Sequence, residues 1–329
     1  MEARVKQPRL VFVVLLVVCI VLLSTASVLA LNDTPGLVVV PTTSDVVLNG
    51  ANSVNVNLYL SDAEAINAFD VIVTYDLDIV SLDSYAYDDF LISPYCLIQS
   101  NNPGELRLVC IQINEPGVSG DGNLLNLTFS GLSAGLTFIR ITKAELADED
   151  NDLILPSLQH GTLRAFYEIP LSGTVALQGQ TAGDGVTVSL DTGTVFQMGP
   201  YSAVSQDLIG ANVDFGTVVG DTYGITAAFP RYIALTQDSG RTVTISPDKT
   251  ALNPLRLLSG NAIWSDNVIN ALDLSLVRAD YLKTTNDLGE GESLDADVNY
   301  DGVVDLKDLA LVGGNYGLSS NDAYTDWVP

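Results

Sequence analysis

Residues 54–60 read Val54-Asn-Val56-Asn-Leu58-Tyr-Leu60, a strict alternation of apolar and polar side chains that decides the fold of the first half of the chain. Successive side chains of a β-strand point to opposite faces, so this stretch predicts a half-buried strand. Short β-branched runs separated by turn residues continue to about Phe166; they include residues 69–75, 104–109, 124–129, 137–142 and 161–165. Several such strands at close spacing predict a sandwich of two sheets.

The following stretch resembles a known module. Ala68-Phe69-Asp-Val-Ile-Val-Thr-Tyr75-Asp76-Leu-Asp78-Ile-Val80 is similar to the third and fourth strands of cohesin domains, in which an aromatic-rich strand ends in Tyr-Asp and a short turn. Gly122–Phe129 and Gly161–Arg164 resemble later strands of the same family. The resemblance implies a cohesin-like jelly-roll sandwich over residues 31–167, from a family that docks dockerins on one sheet face and is related to carbohydrate-binding modules.

Residues 168–250 form a second β-rich segment. Its short apolar strands, such as Leu171-Ser-Gly173-Thr-Val175-Ala-Leu177 and Gly220-Asp-Thr-Tyr223-Gly-Ile225-Thr-Ala227, are separated by Gly and Asp turns. They resemble carboxypeptidase regulatory-like domains, although the tight turn that precedes the Gly-x-Tyr strand in that family is altered around Asn212–Val219. The resemblance implies a small Greek-key, prealbumin-like sandwich that acts as a spacer without catalytic residues.

An oxygen-rich loop dominates the C-terminal part. In Asp297-Val-Asn299-Tyr-Asp301-Gly302-Val303-Val-Asp305-Leu-Lys-Asp308, side-chain oxygens recur at positions 1, 3, 5, 9 and 12, and Gly302 stands at the bend. Ca²⁺ takes about six to eight oxygen ligands, and this spacing can surround it, with a carbonyl oxygen at position 7. The alternative is an Asp/Asn-rich turn in which Asp305 only caps the following helix.

The loop belongs to an internal repeat. Val268–Val277 matches Val303–Val312 thirty-five residues later, and each copy continues with apolar residues at helical spacing. Paired loop-helix units of this kind resemble type I dockerins, which implies a small α-helical domain over residues 251–320 and a tail over 321–329. The resemblance implies Ca²⁺ ligands in the second copy as follows: side chains of Asp297, Asn299, Asp301 and Asp308, the carbonyl of Val303, and Asp305 through water.

The first copy departs from this pattern. With Asp273 aligned at position 12, the remaining oxygen ligands are Asp266, the carbonyl of Val268 and Asn270, while Ala262 and Trp264 occupy the first two ligand positions. Because site strength follows ligand number and charge, we expect a weak or empty site. An alternative is that Trp264 packs over the loop and replaces the metal with apolar burial.

Dockerins contact cohesins through residues just after each loop. In this chain the corresponding positions are near Ala271, Leu272, Arg278 and Ala279 in the first copy, and near Leu306, Lys307, Gly313 and Gly314 in the second. The two sets differ, which favours one binding orientation over two equivalent ones.

The N-terminus predicts export. Arg4, Lys6 and Arg9 precede an apolar run from Leu10 to Leu23, and a small-residue site follows at Ala30, so residues 1–30 read as a secretory signal peptide. The alternative is an uncleaved membrane anchor, since the apolar stretch approaches the ~20 residues that span a bilayer. Beyond the signal, Cys96 and Cys110 remain, and an even pair in an exported chain predicts a disulfide, against the alternative of two buried thiols. The turn signal Asn101-Asn-Pro-Gly104 between them predicts a hairpin that brings the two sulfurs together.

Charge and motifs restrict the function. With 40 acidic and 14 basic residues the net charge is -26, which disfavours nucleic acid as a partner. His160 is the only histidine, and neither a Gly-x-Ser-x-Gly nor a His-Glu-x-x-His motif occurs, so we expect no enzyme. The acidic run Glu145–Asp152 lacks the Gly bend and closing carboxylate of a calcium loop, which favours solvated charge over a metal site.

The sequence therefore predicts a secreted or cell-surface, non-catalytic scaffolding protein. Its cohesin-like and dockerin-like modules imply assembly with other extracellular proteins in a polysaccharide-related system, with Ca²⁺ as the cofactor and membrane contact only if the N-terminal segment is retained. The alternative is polysaccharide binding by the first sandwich, with stacking aromatics such as Tyr85, Tyr87, Phe90 and Tyr95, against a core or loop-anchoring role for the same rings.

Overall fold

The computed structural model describes residues 34–88, 90–180, 185–206 and 211–329. The predicted signal peptide, 1–30, lies outside these residues. Within them the chain is mainly β, which confirms the predicted class. In the same ranges no helix has the length and apolar character needed to cross a bilayer.

The first sandwich contains eleven strands. They are β1 Gly36–Val40, β2 Thr43–Val47, β3 Ser53–Thr74, β4 Val80–Tyr87, β5 Tyr95–Asn102, β6 Glu105–Ile111, β7 Val118–Gly131, β8 Gly135–Asp148, β9 Leu153–Ile154, β10 Ser157–Gln159 and β11 Gly161–Phe166. The order β10-β1-β3-β7-β4 forms one layer, which we call the first sheet. The order β5-β6-β3-β8 forms the second sheet, and β11 and β2 continue from β8.

Strand β3 belongs to both sheets. The sequence predicts separate strands at 54–60 and 69–75, and the structure joins them into one strand of 22 residues. Its first part pairs with β1 and β7, and its second part pairs with β6 and β8. The change of partner falls at Asp62 and Ala65, whose φ angles of 53° and 49° interrupt the extended backbone. Gly117 packs against Ala65, and this position requires glycine because a Cβ at residue 117 would lie 2.0 Å from the Ala65 carbonyl oxygen.

The predicted alternation is confirmed in the core of this sandwich. Val56, Leu58 and Leu60 are at most 1% exposed, while Asn55 and Asn57 on the same strand point outward. The inner faces of both sheets contribute to one apolar cluster, centred on side chains such as Phe69 and Phe129. Burial of a large apolar side chain stabilises by about 1.5–3 kcal/mol, so this cluster is what holds the two sheets together.

The predicted disulfide is present. Strands β5 and β6 form the expected hairpin, with Cys96 directly opposite Cys110 in the register, and the two sulfur atoms are bonded. Cys110 is fully buried, so the bond lies at the edge of the apolar core.

The second sandwich has seven strands. They are β12 Glu168–Leu177, β13 Thr187–Leu190, β14 Tyr201–Val204, β15 Ala211–Val219, β16 Thr222–Ala228, β17 Thr242–Thr244 and β18 Leu255–Leu257. One sheet has the order β15-β12-β18 and the other β14-β13-β16-β17. Phe166 at the end of β11 packs against Phe196 and Val219, and this contact joins the two sandwiches.

Three short helices follow: α1 Ala271–Ala279, α2 Leu306–Gly314 and α3 Ser320–Ala323. Their buried residues Val277 and Val312, together with Val304 in the loop before α2, belong to the same apolar cluster as the core of the second sandwich. The core therefore continues across the predicted boundary between residues 250 and 251. The predicted tail, 321–329, also packs on this core, since Tyr324 is 3% exposed and donates a hydrogen bond to the Ile233 carbonyl.

Candidate metal centre

The two repeat units have the same local structure. Asn270 and Asp305 occupy the N-cap positions of α1 and α2, and in each helix the third residue, Asp273 or Asp308, accepts a hydrogen bond from the N-cap backbone. This reciprocal arrangement is a capping box, which satisfies free N–H groups at a helix start. The helix-capping interpretation of Asp305 is therefore present in the structure. It does not compete with the metal interpretation, because the carboxylates of Asp273 and Asp308 also accept hydrogen bonds from backbone N–H groups of their own loops.

Asp308 and Asp297 form the buried part of the second loop. Asp308 is fully buried, and its Oδ1 accepts from the Val298 N–H at 2.9 Å while its Oδ2 accepts from the Asp305 N–H at 2.8 Å. Asp297 is 3% exposed and accepts from the N–H groups of Asp301 and Gly302 at 3.2 and 3.0 Å. Burial raises the pKa of both carboxyls, and Asp297 raises that of Asp308 further.

The other predicted ligands surround these two. Asn299 is 4% exposed, its Oδ1 accepts from the Asp301 N–H at 2.8 Å, and its Nδ2 donates to Asp301 Oδ2 at 3.1 Å. Asp301 Oδ1 in turn accepts from the Val303 N–H at 3.2 Å. Gly302 has a φ of 90°, which explains the glycine at the bend. The loop thus winds around its own carboxylates through backbone N–H groups.

A cation already touches this loop. Lys307 Nζ lies 2.6 Å from Asp301 Oδ2, and it holds the pKa of that carboxyl below its usual value. As the side chains stand, no three His, Cys, Asp or Glu groups in the described ranges are arranged to hold a metal ion. The Lys307 side chain is 68% exposed, and such surface pairs contribute little, at most about 1 kcal/mol. A divalent ion can displace it.

The residues fit a hard divalent cation. Two buried carboxylates within one loop repel each other, and both accept hydrogen bonds from backbone N–H groups. Arg231 lowers the pKa of Asp297, but burial has the larger effect and the pKa stays raised. Desolvated like charges of this kind are costly unless a cation compensates them. All side-chain donors are oxygens from Asp and Asn, which suit Ca²⁺ or Mg²⁺ and not a thiolate-preferring metal.

The first loop is built differently. Asp273 is fully buried and accepts from the N–H groups of Ile263 and Asn270, both at 2.8 Å. Asp266 Oδ2 accepts from Asn270 Nδ2 at 3.0 Å. Asn267, at the position of Gly302, has a φ of 55° and forms two hydrogen bonds with the Ala234 backbone. Val268 pairs with Ser319. Fixed contacts to neighbouring segments thus hold the fold of this loop.

Trp264 does not seal the first loop. Its side chain is 58% exposed, whereas Ala262 is 1% exposed and belongs to the core. The alternative in which Trp264 buries the loop is therefore wrong. Oxygen ligands are absent at both positions, so a weak or empty first site remains our prediction.

Other side chains that the sequence singles out lie in different environments. Phe90 is 5% exposed and Tyr85 packs on the first core, while Tyr87 and Tyr95 are 53% and 58% exposed. Asp148 in the acidic run accepts from the N–H groups of Asp150 and Asp152, which makes it a turn cap. His160 Nδ1 accepts from the Ile141 N–H at 3.2 Å.

Lys307 suggests a direct test of the second loop. Because an ion must displace its ammonium group from Asp301, we expect Lys307→Met to raise Ca²⁺ affinity about 2- to 10-fold in calorimetric titration, as removal of a nearby positive charge should. Lys283→Met is the matched control, since Lys283 pairs with Asp280 outside the loop. Equal affinities for both variants would contradict a site at Asp301.

Among known proteins, solved structures are similar to part of this chain. No family model and no curated protein matches the chain. Solved structures do. A non-cellulosomal cohesin from the archaeon Archaeoglobus fulgidus aligns at 14% identity and a TM-score of 0.35, with 40% of this chain and 91% of that one covered. The sixth cohesin of scaffoldin B from Acetivibrio cellulolyticus, solved with a Cel5 dockerin, aligns at 19% identity and 0.35, with 40% and 99% covered.

A further structure comes from the same bacterium. A chain of a type II Cohesin-X-Dockerin complex from Acetivibrio cellulolyticus aligns at 20% identity and a TM-score of 0.37, with 47% of this chain and 99% of that chain covered. All three structures contain cohesins, and at these identities the likeness concerns the fold alone. The resemblances of residues 168–250 and 251–320 stay predictions.

Proposed function

We propose that this chain is a non-catalytic extracellular scaffolding protein that docks other proteins through two surfaces and carries Ca²⁺ in its C-terminal loop. The main support is the outer surface of the second sheet, where exposed apolar side chains lie beside charged ones. Asp297, Asn299, Asp301, Val303, Asp305 and Asp308 would hold the ion, which would neutralise the buried carboxylates and fix the start of α2.

The outer surface of the second sheet combines exposed apolar side chains with fixed charges. Tyr95, Leu97 and Ile111 are 58%, 47% and 45% exposed on neighbouring strands, and Phe138, 52% exposed, lies under the guanidinium of Arg140 at 5.0 Å. A surface with exposed aromatic and aliphatic side chains beside Arg residues has the composition of a protein interface.

A charge network lies between these apolar groups. Asp70 accepts from Arg107 Nε at 2.9 Å and from Lys143 Nζ at 2.6 Å, and Lys143 also pairs with Glu145 at 2.9 Å. The side chain of Asp70 is only 15% exposed, so its position is fixed. Such a network gives an approaching partner charges of both signs at defined places, which favours specificity.

The network predicts a pH dependence for the first sandwich. Arg107, by hydrogen bonding, holds the pKa of Asp70 below its usual value. A lowered folded-state pKa contributes stability above the unfolded value of about 3.9, and this stability is lost as the pH falls through the folded value. We expect Asp70→Asn to cost about 1–3 kcal/mol at pH 7 in denaturant unfolding. The difference from the parent should decrease as the pH falls below about 3.9, because the unfolded chain then binds the proton before the folded one.

Asp83→Asn is the control for this prediction. Asp83 is exposed on the same sandwich and accepts from the hydroxyls of Ser81 and Ser130. We expect Asp83→Asn to lower the free energy of unfolding by less than about 1 kcal/mol. If Asp70→Asn lowers the free energy of unfolding by the same amount at pH 2.5 as at pH 7, the loss comes from altered geometry rather than from the missing charge.

The helices offer the second surface. Leu272 is the second residue of α1 and Leu306 is the first residue of α2, and they are 59% and 70% exposed. They belong to the positions that the dockerin resemblance assigns to partner contact. Arg278 and Lys307 place positive charge on the same helices, in a chain that is otherwise strongly acidic.

Capture by isolated modules tests this function. The full chain would be passed over immobilised dockerins and over immobilised cohesins, with Phe138→Asp and Leu306→Asp as interface variants and Leu132→Asp as an exposed control. We expect dockerin capture that only Phe138→Asp abolishes and cohesin capture that only Leu306→Asp abolishes. If the chain is retained on neither dockerins nor cohesins but is retained on glycans, polysaccharide binding replaces protein docking as the better-supported function.

A specific observation favours the alternative, polysaccharide binding. The outer surface of the first sheet carries amides and hydroxyls in register, with Asn57 opposite Asn126 and Asn55 opposite Thr128, and Tyr59 beside them. Amides and hydroxyls can hydrogen-bond the hydroxyls of a neutral glycan, and an aromatic ring can stack on a sugar. Loss of glycan retention in Tyr59→Ala, with capture of protein modules unchanged, would support this site.

A further inference from the structure

The calcium loop is attached to the second sandwich by one arginine. Arg231 comes from the segment after β16, and its guanidinium donates to the Asp297 carbonyl oxygen at 2.9 Å and to Asp295 Oδ1 at 3.4 Å. The same guanidinium lies over the Tyr300 ring, 4.2 Å from its centroid. Only 11% of the Arg231 side chain is exposed. An arginine that is this buried contributes fixed geometry as well as charge.

The contact of Arg231 leaves the ligand oxygens free. It binds the main-chain oxygen of Asp297 and the ring of Tyr300, and both residues lie in the first third of the loop. The carboxylate of Asp297 instead accepts from the backbone N–H groups of Asp301 and Gly302. Arg231 therefore orients the loop from outside, whereas Lys307 takes a ligand oxygen directly. Groups that orient metal ligands from outside typically change affinity 10- to 100-fold when removed.

Aromatic contacts extend this attachment into the sandwich. The Tyr300 hydroxyl donates to the Pro230 carbonyl at 3.1 Å, and the Tyr300 ring lies 5.5 Å from that of Phe229, which in turn contacts Tyr232. Tyr232 is 1% exposed in the core of the second sandwich. A continuous set of packed rings thus runs from the loop to that core.

Buried hydrogen bonds connect the other side of the loop. Ser259, fully buried, donates from its hydroxyl to the Val298 carbonyl at 2.6 Å. Asn315 at the end of α2 donates to the Ser259 carbonyl at 2.7 Å and to Gln178 Oε1 at 2.6 Å. Gln178 directly follows β12. Buried polar groups that satisfy one another in this way are costly to separate.

From these contacts we propose that Arg231 is a positioning residue for the Asp297–Asp308 loop, and that ion binding in the loop stabilises the second sandwich and the C-terminal helices as one unit. This inference rests on the proposed Ca²⁺ site. It goes beyond that site because an autonomous calcium-binding module would stabilise only itself. The first sandwich, with its separate apolar cluster, lies outside the unit.

Hydrogen exchange of the full chain, with and without Ca²⁺, tests the proposal alongside calorimetry. We expect Ca²⁺ to slow exchange at least tenfold in α2 and also in β12, β16 and β18, with β3 and β8 unchanged. Arg231→Gln should weaken Ca²⁺ binding at least tenfold and reduce the protection of those strands. Arg256→Gln is the matched control, since Arg256 is exposed on β18. Arg231→Lys should keep only part of the Ca²⁺ affinity and strand protection that Arg231→Gln loses.

The outcomes separate the inference from the calcium site itself. If Ca²⁺ binds and protects only residues 297–314, or if Arg231→Gln binds as tightly as Arg256→Gln, the inference is overturned and the site stands. If calorimetry detects no Ca²⁺ binding to the parent chain, the proposed site falls and the inference falls with it.

Discussion

Titration of Ca²⁺ into the full chain is expected to show one strong site that Asp308→Asn removes. Asp308 closes the loop from a fully buried position and is one of two buried carboxylates there. Removing one charge and one ligand oxygen should weaken binding by a factor of at least about 100, because affinity follows the charge and number of ligands. Isothermal calorimetry at constant ionic strength measures this directly.

Asp273→Asn is the control for that experiment. Asp273 is equally buried and caps the equivalent helix in the same way, so it has the same structural role without the full ligand set. Both variants should lose some stability without Ca²⁺, and only Asp308→Asn should lose the strong site. Two sites of equal strength in the parent chain would show that the missing ligands at Ala262 and Trp264 do not matter.

The second large effect is expected in the predicted tail. Tyr324→Ala should destabilise the unit formed by the second sandwich and the helices by about 3–5 kcal/mol, since it removes a buried ring from the shared core. The ring hydroxyl also donates to the Ile233 carbonyl and accepts from the Leu258 N–H. Tyr324→Phe should therefore cost about 1–2 kcal/mol.

Thermal and denaturant unfolding would measure these costs, with Tyr316→Ala as the control. Tyr316 is 54% exposed at the end of α2, so its replacement should change stability by less than about 1 kcal/mol. If Tyr324→Ala leaves the transition unchanged, the last residues do not belong to the folded unit. The same reasoning argues against fragments that begin at residue 250, because they would expose half of a common core.

Much of the fold could be predicted because local patterns carry it. The alternation at 54–60 and the Asn-Pro-Gly turn between Cys96 and Cys110 each specify a strand or hairpin, and the structure confirms both. The sequence predicts two separate strands at 54–60 and 69–75, whereas the structure has the single strand β3 across both. No local pattern shows that a strand crosses between sheets, since the crossing depends on which neighbours pair with each half.

The candidate site was only partly visible in the sequence. The spacing of the loop oxygens predicts the ligands, because all of them come from one short segment. Arg231 was missed, since it lies 66 residues from Asp297 and no motif marks it. Lys307 stands within the loop sequence, but its contact with Asp301, six residues earlier, is visible only in the structure.

By itself the sequence determined the β-rich class, the disulfide pair, and the residues able to surround a cation, because each depends on spacing along one or two adjacent segments. Only the tertiary structure decided that the C-terminal helices share a core with the second sandwich, that Trp264 stays exposed, and that Arg231 holds the loop. Those features depend on contacts between segments far apart in the chain, and such contacts follow from packing rather than from any local pattern.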